Sequence, residues 1–271
     1  MTTRTAARLA EIAADHLDPD AARRWLALLR PAVQLVPAGP GDPVVARLGG
    51  TPELPPGTEW PQWPGQGRLS FVVELDLAAL AATGADAGIA LPAEGRLLGF
   101  YFEPDADGRV VLSGDPDTVP GARLLHVTGT EPVADPAAEL AAVQTLTWPD
   151  MSHPALEDTG LDELPDPFWD ALDEVREEDP GSDSFGRQVG GWASPVQASV
   201  ELETAELRLG AATFDDVHRE EALRWRLLLQ VDSDWAAGTA WEPATCLYWL
   251  ARTDGAGPLR VPDDIGFTWQ C

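Results

Sequence analysis

Acidic and amide side chains alternate near the ends of two apolar segments of this chain. Glu74 and Asp76 end the first segment, and Gln230, Asp232 and Asp234 end the second. Because side chains alternate across an extended strand, the members of each set share one face. Paired carboxylates can transfer protons or bind Mg²⁺ and Ca²⁺ through oxygen. The spacing therefore indicates two candidate carboxylate clusters, one in each half of the chain.

An ordinary structural role is the favoured explanation of the same acids. Asp at a strand end commonly caps backbone N–H groups, and Arg224 and Arg226 lie close enough in sequence to pair with Asp232 or Asp234. Ca²⁺ needs about six to eight oxygen ligands, which two alternate carboxylates do not supply. We therefore expect no tightly bound metal at these acids.

Several kinds of catalytic site are incompatible with the composition. All eighteen basic residues are Arg, which excludes a Schiff-base Lys, a P-loop Lys and a Ser–Lys pair. The four histidines are scattered, and His153 beside Ser152 lacks a nucleophile elbow. Cys246 falls in an apolar segment and Cys271 is the last residue, so neither a disulfide framework nor a zinc cluster is expected. We predict no cofactor.

Net charge limits the classes of partner. The 271-residue chain carries a formal charge of −27 with a pI near 4.2, which argues against binding to nucleic acid because phosphate contacts need clustered cations. A strongly acidic surface attracts basic proteins and speeds their encounter. No segment has the apolar length of a membrane span, and residues 1–30 lack a signal-peptide pattern. We expect a cytoplasmic protein that does not bind membranes.

Tryptophan side chains lie at positions where they can line a binding site or seal the core. Residues 38–68 are rich in Gly and Pro, and Trp60 and Trp63 are expected to anchor this long loop. The loop can cap a ligand pocket, or it can close the core. The full set of candidate ligand-binding residues is Trp60, Trp63, Glu74, Asp76, Gln197, Gln230, Asp232, Asp234 and Trp241.

The apolar spacing predicts an α+β protein. Two short helices are expected within residues 4–30, the second capped by Asp18 with Pro19 at its first position. The acidic segment 150–183 is expected to contain a helix near 166–178, and its acids to form a solvated face. Strands are predicted at 32–37, 69–77, 95–102, 109–112, 123–127, 143–146, 197–202, 223–231, 246–251 and, as an edge strand, 267–271.

Motifs in the chain resemble those of the YwqG-like family of bacterial proteins, a domain of unknown function. They are Gly49-Gly50-x-Pro52-x-Leu54-Pro55 with Trp60-Pro61, Gly190-Gly191-Trp192 with Gln197, Trp225–Asp234, and Leu247-Tyr248-Trp249 with the terminal Gln270-Cys271. The resemblance covers roughly residues 32–271, and the Trp225–Asp234 motif is its most specific part. One departure is the segment Trp241–Thr245, which lacks the Gly and Asp usual in the family.

The resemblance implies a mostly antiparallel, β-rich body built from two related repeats. We place an N-terminal helical segment at 1–31 and the YwqG-like domain at 32–271. The repeats span about 45–148 and 185–271, joined by the acidic helical segment. In each repeat an apolar strand with alternate acids is followed by a second apolar strand. The family supplies no established reaction.

Two functions remain open from the sequence. The first is a non-catalytic module that binds a small ligand or a basic protein, for example as an immunity protein against a basic toxin. The alternative is a metal-assisted hydrolase that uses clustered carboxylates from both halves. In either case Trp60 and Trp225 are expected to be mainly structural, because each lies where a turn meets a strand. The sequence does not predict an oligomeric state.

Overall fold

Twelve strands, seven α-helices and one 3₁₀ helix (Pro116–Gly121) build the described part of the protein. The structure is a computed structural model that describes residues 2–103, 110–112, 115–177, 186–210, 216–233, 246–253, 259–261 and 264–271. The strands are β1 (Arg30–Pro37), β2 (Val44–Leu48), β3 (Gln62–Trp63), β4 (Gly67–Arg68), β5 (Ser70–Asp76), β6 (Arg96–Tyr101), β7 (Ala122–Val127), β8 (Ala138–Thr147), β9 (Gln188–Val189), β10 (Trp225–Asp232), β11 (Cys246–Arg252) and β12 (Ile265–Gln270). The helices are α1 (Thr2–His16), α2 (Pro19–Leu26), α3 (Leu77–Ala82), α4 (Pro154–Asp158), α5 (Asp166–Glu177), α6 (Val200–Leu209) and α7 (Asp216–Ala222).

The second N-terminal helix begins where its sequence predicts. The Asp18 carboxylate accepts hydrogen bonds from the backbone N–H groups of Asp20 and Ala21, at 2.9 and 3.0 Å. Pro19 lies at the first helical position of α2, where its missing N–H removes no helical hydrogen bond. The prediction of N-terminal helices before a β-rich body is therefore confirmed.

Ten of the strands form one antiparallel sheet. Their order across the sheet is β12-β11-β10-β9-β1-β8-β2-β5-β6-β7, and β3 and β4 form a separate small hairpin. The longest central pairing joins β1 to β8, from Arg30 opposite Thr147 to Pro37 opposite Leu140. The sheet therefore has one group of four strands on each side of this central pair.

The two ends of the sheet curl toward each other over a shared core. Val73 of β5 and Leu229 of β10 belong to the same buried cluster, although they lie in opposite halves of the sheet. The Trp249 ring of β11 reaches Gly99 of β6, where an added Cβ would lie 3.1 Å from the ring. The face of the sheet that carries Val73 and Leu229 is therefore its inner face. Leu75 and Val231 belong to the same cluster, so Glu74 and Gln230, which alternate with them, point outward.

Helices cover the outer face of the central strands. Trp25 of α2 packs edge-on against Phe168 of α5, with ring centroids 5.0 Å apart, and against Trp148 beyond β8. Phe168 is fully buried in this cluster. The acidic segment therefore contains the predicted helix with one apolar face, and that face holds it on the sheet.

Three predictions from local pattern were wrong. The predicted strand at 197–202 is instead a loop followed by α6, because Ser199 caps a helix by accepting the Leu202 N–H at 3.4 Å. Residues 110–112 form no strand, and residue 109 lies outside the described residues. The segment 38–68, predicted to be loop, contains β2, since Pro43 lies before that strand and does not interrupt it.

Candidate functional site

Trp60 and Trp63 pack on the outer face of the first half. The Trp60 indole donates to the Leu69 carbonyl oxygen at 2.8 Å and meets Phe100 edge-on with centroids 5.3 Å apart. Trp63 is buried and packs edge-on against Phe102 at 5.2 Å. Both rings are occupied by contacts within the protein, which favours the interpretation that this loop closes the core.

Glu74 is a buried carboxylate that joins three separate parts of the first half. It is 1% exposed. Its Oε1 lies 2.9 Å from Nη1 of Arg47, and its Oε2 lies 3.5 Å from Nε of Arg96 and accepts the Val133 N–H at 3.0 Å. These contacts tie β2, β5 and β6 to the loop after β7. The side chain is satisfied by the protein itself.

Asp76 has the capping role that strand-end acids often have. Its Oδ1 accepts the Ala79 N–H at 2.9 Å and so begins α3. Its Oδ2 lies 3.4 Å from Nη2 of Arg96. Glu74 and Asp76 therefore share Arg96 as a counter-ion, which balances their charge without a metal ion.

The acid of the second half pairs with a different arginine from the two named by the sequence. Asp232 is 1% exposed, and its Oδ1 lies 2.7 Å from Nε of Arg187. Its Oδ2 is buried without a hydrogen-bond partner. Arg224 instead pairs with Glu221 at 3.1 Å. The expected pairing of Asp232 with Arg224 or Arg226 is wrong, because Arg187 enters from the residue before β9.

Gln230 and Gln270 fasten the loop between β9 and α6 to the sheet. Gln230 accepts the Ser194 N–H at 3.0 Å. Gln270 accepts the N–H groups of Val196 and Gln197, at 2.7 and 3.1 Å. The exposed side chain of Gln197 donates to the Cys271 carbonyl oxygen at 2.9 Å. These amides therefore hold a loop in place, a role that the sequence analysis did not assign to Gln270.

The two carboxylate sets are not brought together. Strands β5 and β10 are separated in the sheet by β2, β8, β1 and β9, and Glu74 and Asp232 both point away from the shared core. Asp234 and Trp241 lie outside the described residues. Within the ranges that the structure describes, no group of three or more His, Cys, Asp or Glu residues is placed to hold a metal ion. The described acids therefore do not form the cluster that the hydrolase alternative requires.

A buried polar cluster that the sequence analysis missed lies between α4 and α6. His153 precedes α4 and Glu201 lies in the first turn of α6, with His153 Nε2 3.6 Å from Glu201 Oε2. Ser199 Oγ lies 3.0 Å from the same carboxylate oxygen. The Arg30 guanidinium stacks 3.2 Å from the Trp192 ring centroid, and the His153 ring meets that ring at 4.5 Å.

Burial shifts the titration of this cluster. It raises the pKa of Glu201 to about 7, against hydrogen bonds and the Arg30 charge, which lower it. It lowers the pKa of His153 to about 3, helped by the nearby Arg30 charge. It also lowers the pKa of Arg30 to about 9, with Arg226 contributing. The Ser199 hydroxyl contacts Glu201 rather than His153, so the cluster is not a Ser–His nucleophile pair.

Only part of this cluster had a signal in the sequence. Trp192 belongs to a Gly-Gly-Trp motif, and His153 follows Ser152 without the pattern of a nucleophile elbow. Arg30 and Glu201 follow no motif and are far from each other along the chain. Their proximity depends on how β1 and α6 are placed, which local spacing does not specify.

Exposed carboxylates cover α4, α5 and the turn between them. We call this surface the acidic face, and its members are Glu157, Asp158, Asp162, Glu163, Asp166, Asp170, Asp173 and Glu174. Among the described residues, ion pairs reach this set only from Arg219, at 3.4 Å from Glu157, and from Arg176, at 3.4 Å from Asp173. The remaining carboxylates are unneutralised by described Arg side chains.

Comparison with known proteins identifies a family and no activity. The model of a family described as a domain of unknown function, DUF1963, matches residues 46–271. No curated protein matches the chain. No helix among the described residues is long and apolar enough to cross a membrane.

Proposed function

Because the chain belongs to the DUF1963 family, which has no assigned reaction, we propose a function from the surface itself: a non-catalytic module that binds a basic protein segment. The binding surface is the acidic face. A role as an immunity protein toward a basic toxin in the bacterial cytoplasm is one form of this proposal. The resemblance to the YwqG-like family and the bacterial source remain predictions.

The observation that carries the proposal is the density of exposed carboxylates: the acidic face has eight of them within residues 157–174, and ion pairs from described Arg side chains reach only Glu157 and Asp173. Several buried acids elsewhere have arginine partners instead, such as Glu74 with Arg47 and Asp232 with Arg187. Along the acidic face most carboxylates have none among the described residues. Their repulsion destabilises the folded protein, and a cationic partner would relieve it while being attracted from a distance.

The acidic face also has a rigid base. Phe168 and Leu172 of α5 are fully buried against the N-terminal helices, so the carboxylates of α5 are held on one side of a fixed helix. A preformed surface loses less conformational entropy on binding than a flexible acidic tail does. This arrangement supports recognition of a partner rather than simple solubility.

Binding of an oligo-arginine peptide tests the proposal. We expect calorimetric titration to show binding that weakens steeply as salt rises, because the contacts are between exposed charges. The triple substitution Asp166→Asn, Asp170→Asn and Glu174→Gln should weaken it strongly. The matched control Glu59→Gln, Glu94→Gln and Glu131→Gln removes the same charge from exposed positions elsewhere and should weaken it little. Equal losses in the two triple variants would refute a localised site.

We also propose that the fold contains two related repeats. Their bounds in this proposal differ from the 45–148 and 185–271 expected from the resemblance, because β1 is assigned to the first repeat and β8 to the second. The first repeat comprises β1, β2, β5, β6 and β7, and the second β8, β9, β10, β11 and β12. In the sheet, β2-β5-β6-β7 run outward on one side of the central pair and β9-β10-β11-β12 on the other. The same order on both sides supports an internal duplication.

Matching hydrogen bonds support the same relation. Gly49, just after β2, donates its backbone N–H to the Val72 carbonyl oxygen at 2.9 Å. Gly190, just after β9, donates to the Leu228 carbonyl oxygen at 3.2 Å. By this correspondence Glu74 in the first repeat is equivalent to Gln230 in the second, and Asp76 is equivalent to Asp232.

The irregularities of the strands agree with that alignment. The pairing of β5 with β6 shifts register between Phe71 and Val73, and that of β10 with β11 shifts between Leu227 and Leu229. The same alignment of β5 with β10 thus matches the hydrogen bonds of the two glycine turns and the two register shifts. Bulges are specific local features, and their coincidence favours a common origin of the repeats.

In this proposal the first strand of each repeat pairs with strands of the other repeat. β1 pairs with β9 and β8, and β8 pairs with β1 and β2. A chain divided after β7 should therefore give two fragments that fold only together. Co-expression of residues 1–129 and 130–271 tests this, and a single fragment that folds alone with native-like circular dichroism would contradict the exchange.

A further inference from the structure

The junction between α4 and α6 contains an acid–base pair with an unusual constraint on its protons. His153 Nδ1 accepts the Ala155 N–H at 3.0 Å and so caps α4. An imidazole nitrogen that accepts a hydrogen bond carries no proton. The ring proton of the folded protein is therefore on Nε2, which faces Glu201 Oε2 at 3.6 Å.

Fixed charges surround this pair. Arg30 on β1 acts on both His153 and Glu201, and Asp150 before α4 acts on both with the opposite sign. Arg226 on β10 acts on Arg30. A positive charge on His153 would thus lie close to the positive charge of Arg30. The added proton on Nδ1 would also break the hydrogen bond that caps α4.

Neither member of the pair can reach solvent. His153 is 4% exposed and Glu201 is 2% exposed. His153 Nε2 and Glu201 Oε1 have no hydrogen-bond partner. An imidazolium and a carboxylate would both be charged, incompletely paired and removed from water, which is costly. The neutral form of both groups avoids that cost.

We propose that His153 and Glu201 exchange a proton when this junction forms. In mildly acidic solution the open junction has an imidazolium and a carboxylate, whereas the closed junction has a neutral imidazole and a carboxylic acid. One proton leaves His153 and one binds Glu201, so closure neither takes up nor releases a proton. The pair is a device that keeps the attachment of the acidic face independent of pH in that range.

The directions of titration agree with this exchange. The pKa of Glu201 rises from 4.5 to about 7, so its contribution to stability is present below pH 4.5 and is lost as pH rises to about 7. The pKa of His153 falls from 6.5 to about 3, so its contribution is present above pH 6.5 and is lost as pH falls to about 3. Between pH 4.5 and 6.5 the two contributions change the free energy of unfolding with pH by equal amounts of opposite sign, so they cancel.

Single substitutions should reveal the pH dependence of stability that each group contributes. Glu201→Gln replaces a neutral acid by a neutral amide and leaves only the His153 slope. His153→Asn keeps an acceptor for the Ala155 N–H, since Asn is a good helix cap, and leaves only the Glu201 slope. The double variant lacks both slopes and provides the reference for the other titratable groups.

Urea unfolding of the four proteins between pH 4.5 and 6.5 tests the proposal. Relative to the double variant, the unfolding constant of Glu201→Gln should fall about tenfold per pH unit and that of His153→Asn should rise about tenfold per pH unit. The wild type should stay constant. A wild type that follows either single variant, or single variants that are both flat, would overturn the exchange.

A measurement on the wild type alone covers the case in which a variant does not fold. The imidazole ¹³C shifts of His153 should remain those of a neutral ring with Nε2 protonated from pH 7 down to pH 5. An imidazolium signal from His153 in the folded protein at pH 6 would also overturn the proposal.

Discussion

Replacing Glu74 by Gln tests whether one buried carboxylate holds the first half together. The substitution preserves shape and leaves an oxygen that can accept the Val133 N–H, but it removes the charge that faces Arg47 and Arg96. Both arginines are largely buried, at 15% and 16% side-chain exposure. They would lose a counter-ion that solvent cannot replace.

The expected loss of stability follows from that geometry. Removing one partner of a buried ion pair costs about 3–5 kcal/mol. Glu139 and Asp76 remain near the arginines, at 3.4 Å from Arg47 and Arg96 respectively. We therefore expect Glu74→Gln to cost about 3 kcal/mol, at the low end of that range.

Glu139→Gln is the matched control. It removes a carboxylate from the same Arg47, but Glu139 is 50% exposed, so the expected cost is below about 1 kcal/mol. Urea unfolding at pH 7, followed by tryptophan fluorescence, measures both. If the two variants have the same midpoint and slope, the buried contacts of Glu74 do not stabilise the first half more than the exposed Glu139 does.

Three further substitutions and one control, Gly41→Ala, test packing, each by its denaturation midpoint. Trp225 is 4% exposed and its indole donates to Glu221, so Trp225→Ala should cost about 3–5 kcal/mol. Trp60 is only half-buried, and Trp60→Ala should cost roughly half as much; equal midpoints for both variants and the wild type would contradict their structural role. Gly190→Ala places a Cβ in steric overlap with the Ala87 carbonyl oxygen at φ +69°, whereas Gly41→Ala meets open space at φ +93°. The first should impair folding and the second should cost only about 1 kcal/mol; similar losses would show that the close approach is absent.

The sequence was sufficient for features that depend on neighbouring residues. Apolar runs predicted β5, β6, β10 and β11, and the Asp18-Pro19 pair predicted the start of α2, because capping and strand periodicity involve only a few residues. The same local reasoning failed at α6, where apolar residues near Val200 suited a strand and the Ser199 cap went unrecognised. A cap outweighs a short apolar run when the next turn can also pack.

Tertiary structure alone decided which groups meet. Asp232 pairs with Arg187 because β9 lies beside β10, and β1 lies beside β9 although many residues separate them. Glu201 and His153 approach each other only after α4 and α6 are placed on the sheet. Long-range pairing depends on the packing of whole elements against a shared core, and the spacing of residues along the chain carries no measure of that packing. The composition determined the negative sign of the protein's electrostatic field. Folding decided which carboxylates are paired with arginine, as Glu74 and Asp232 are, and which are exposed, as those of the acidic face are.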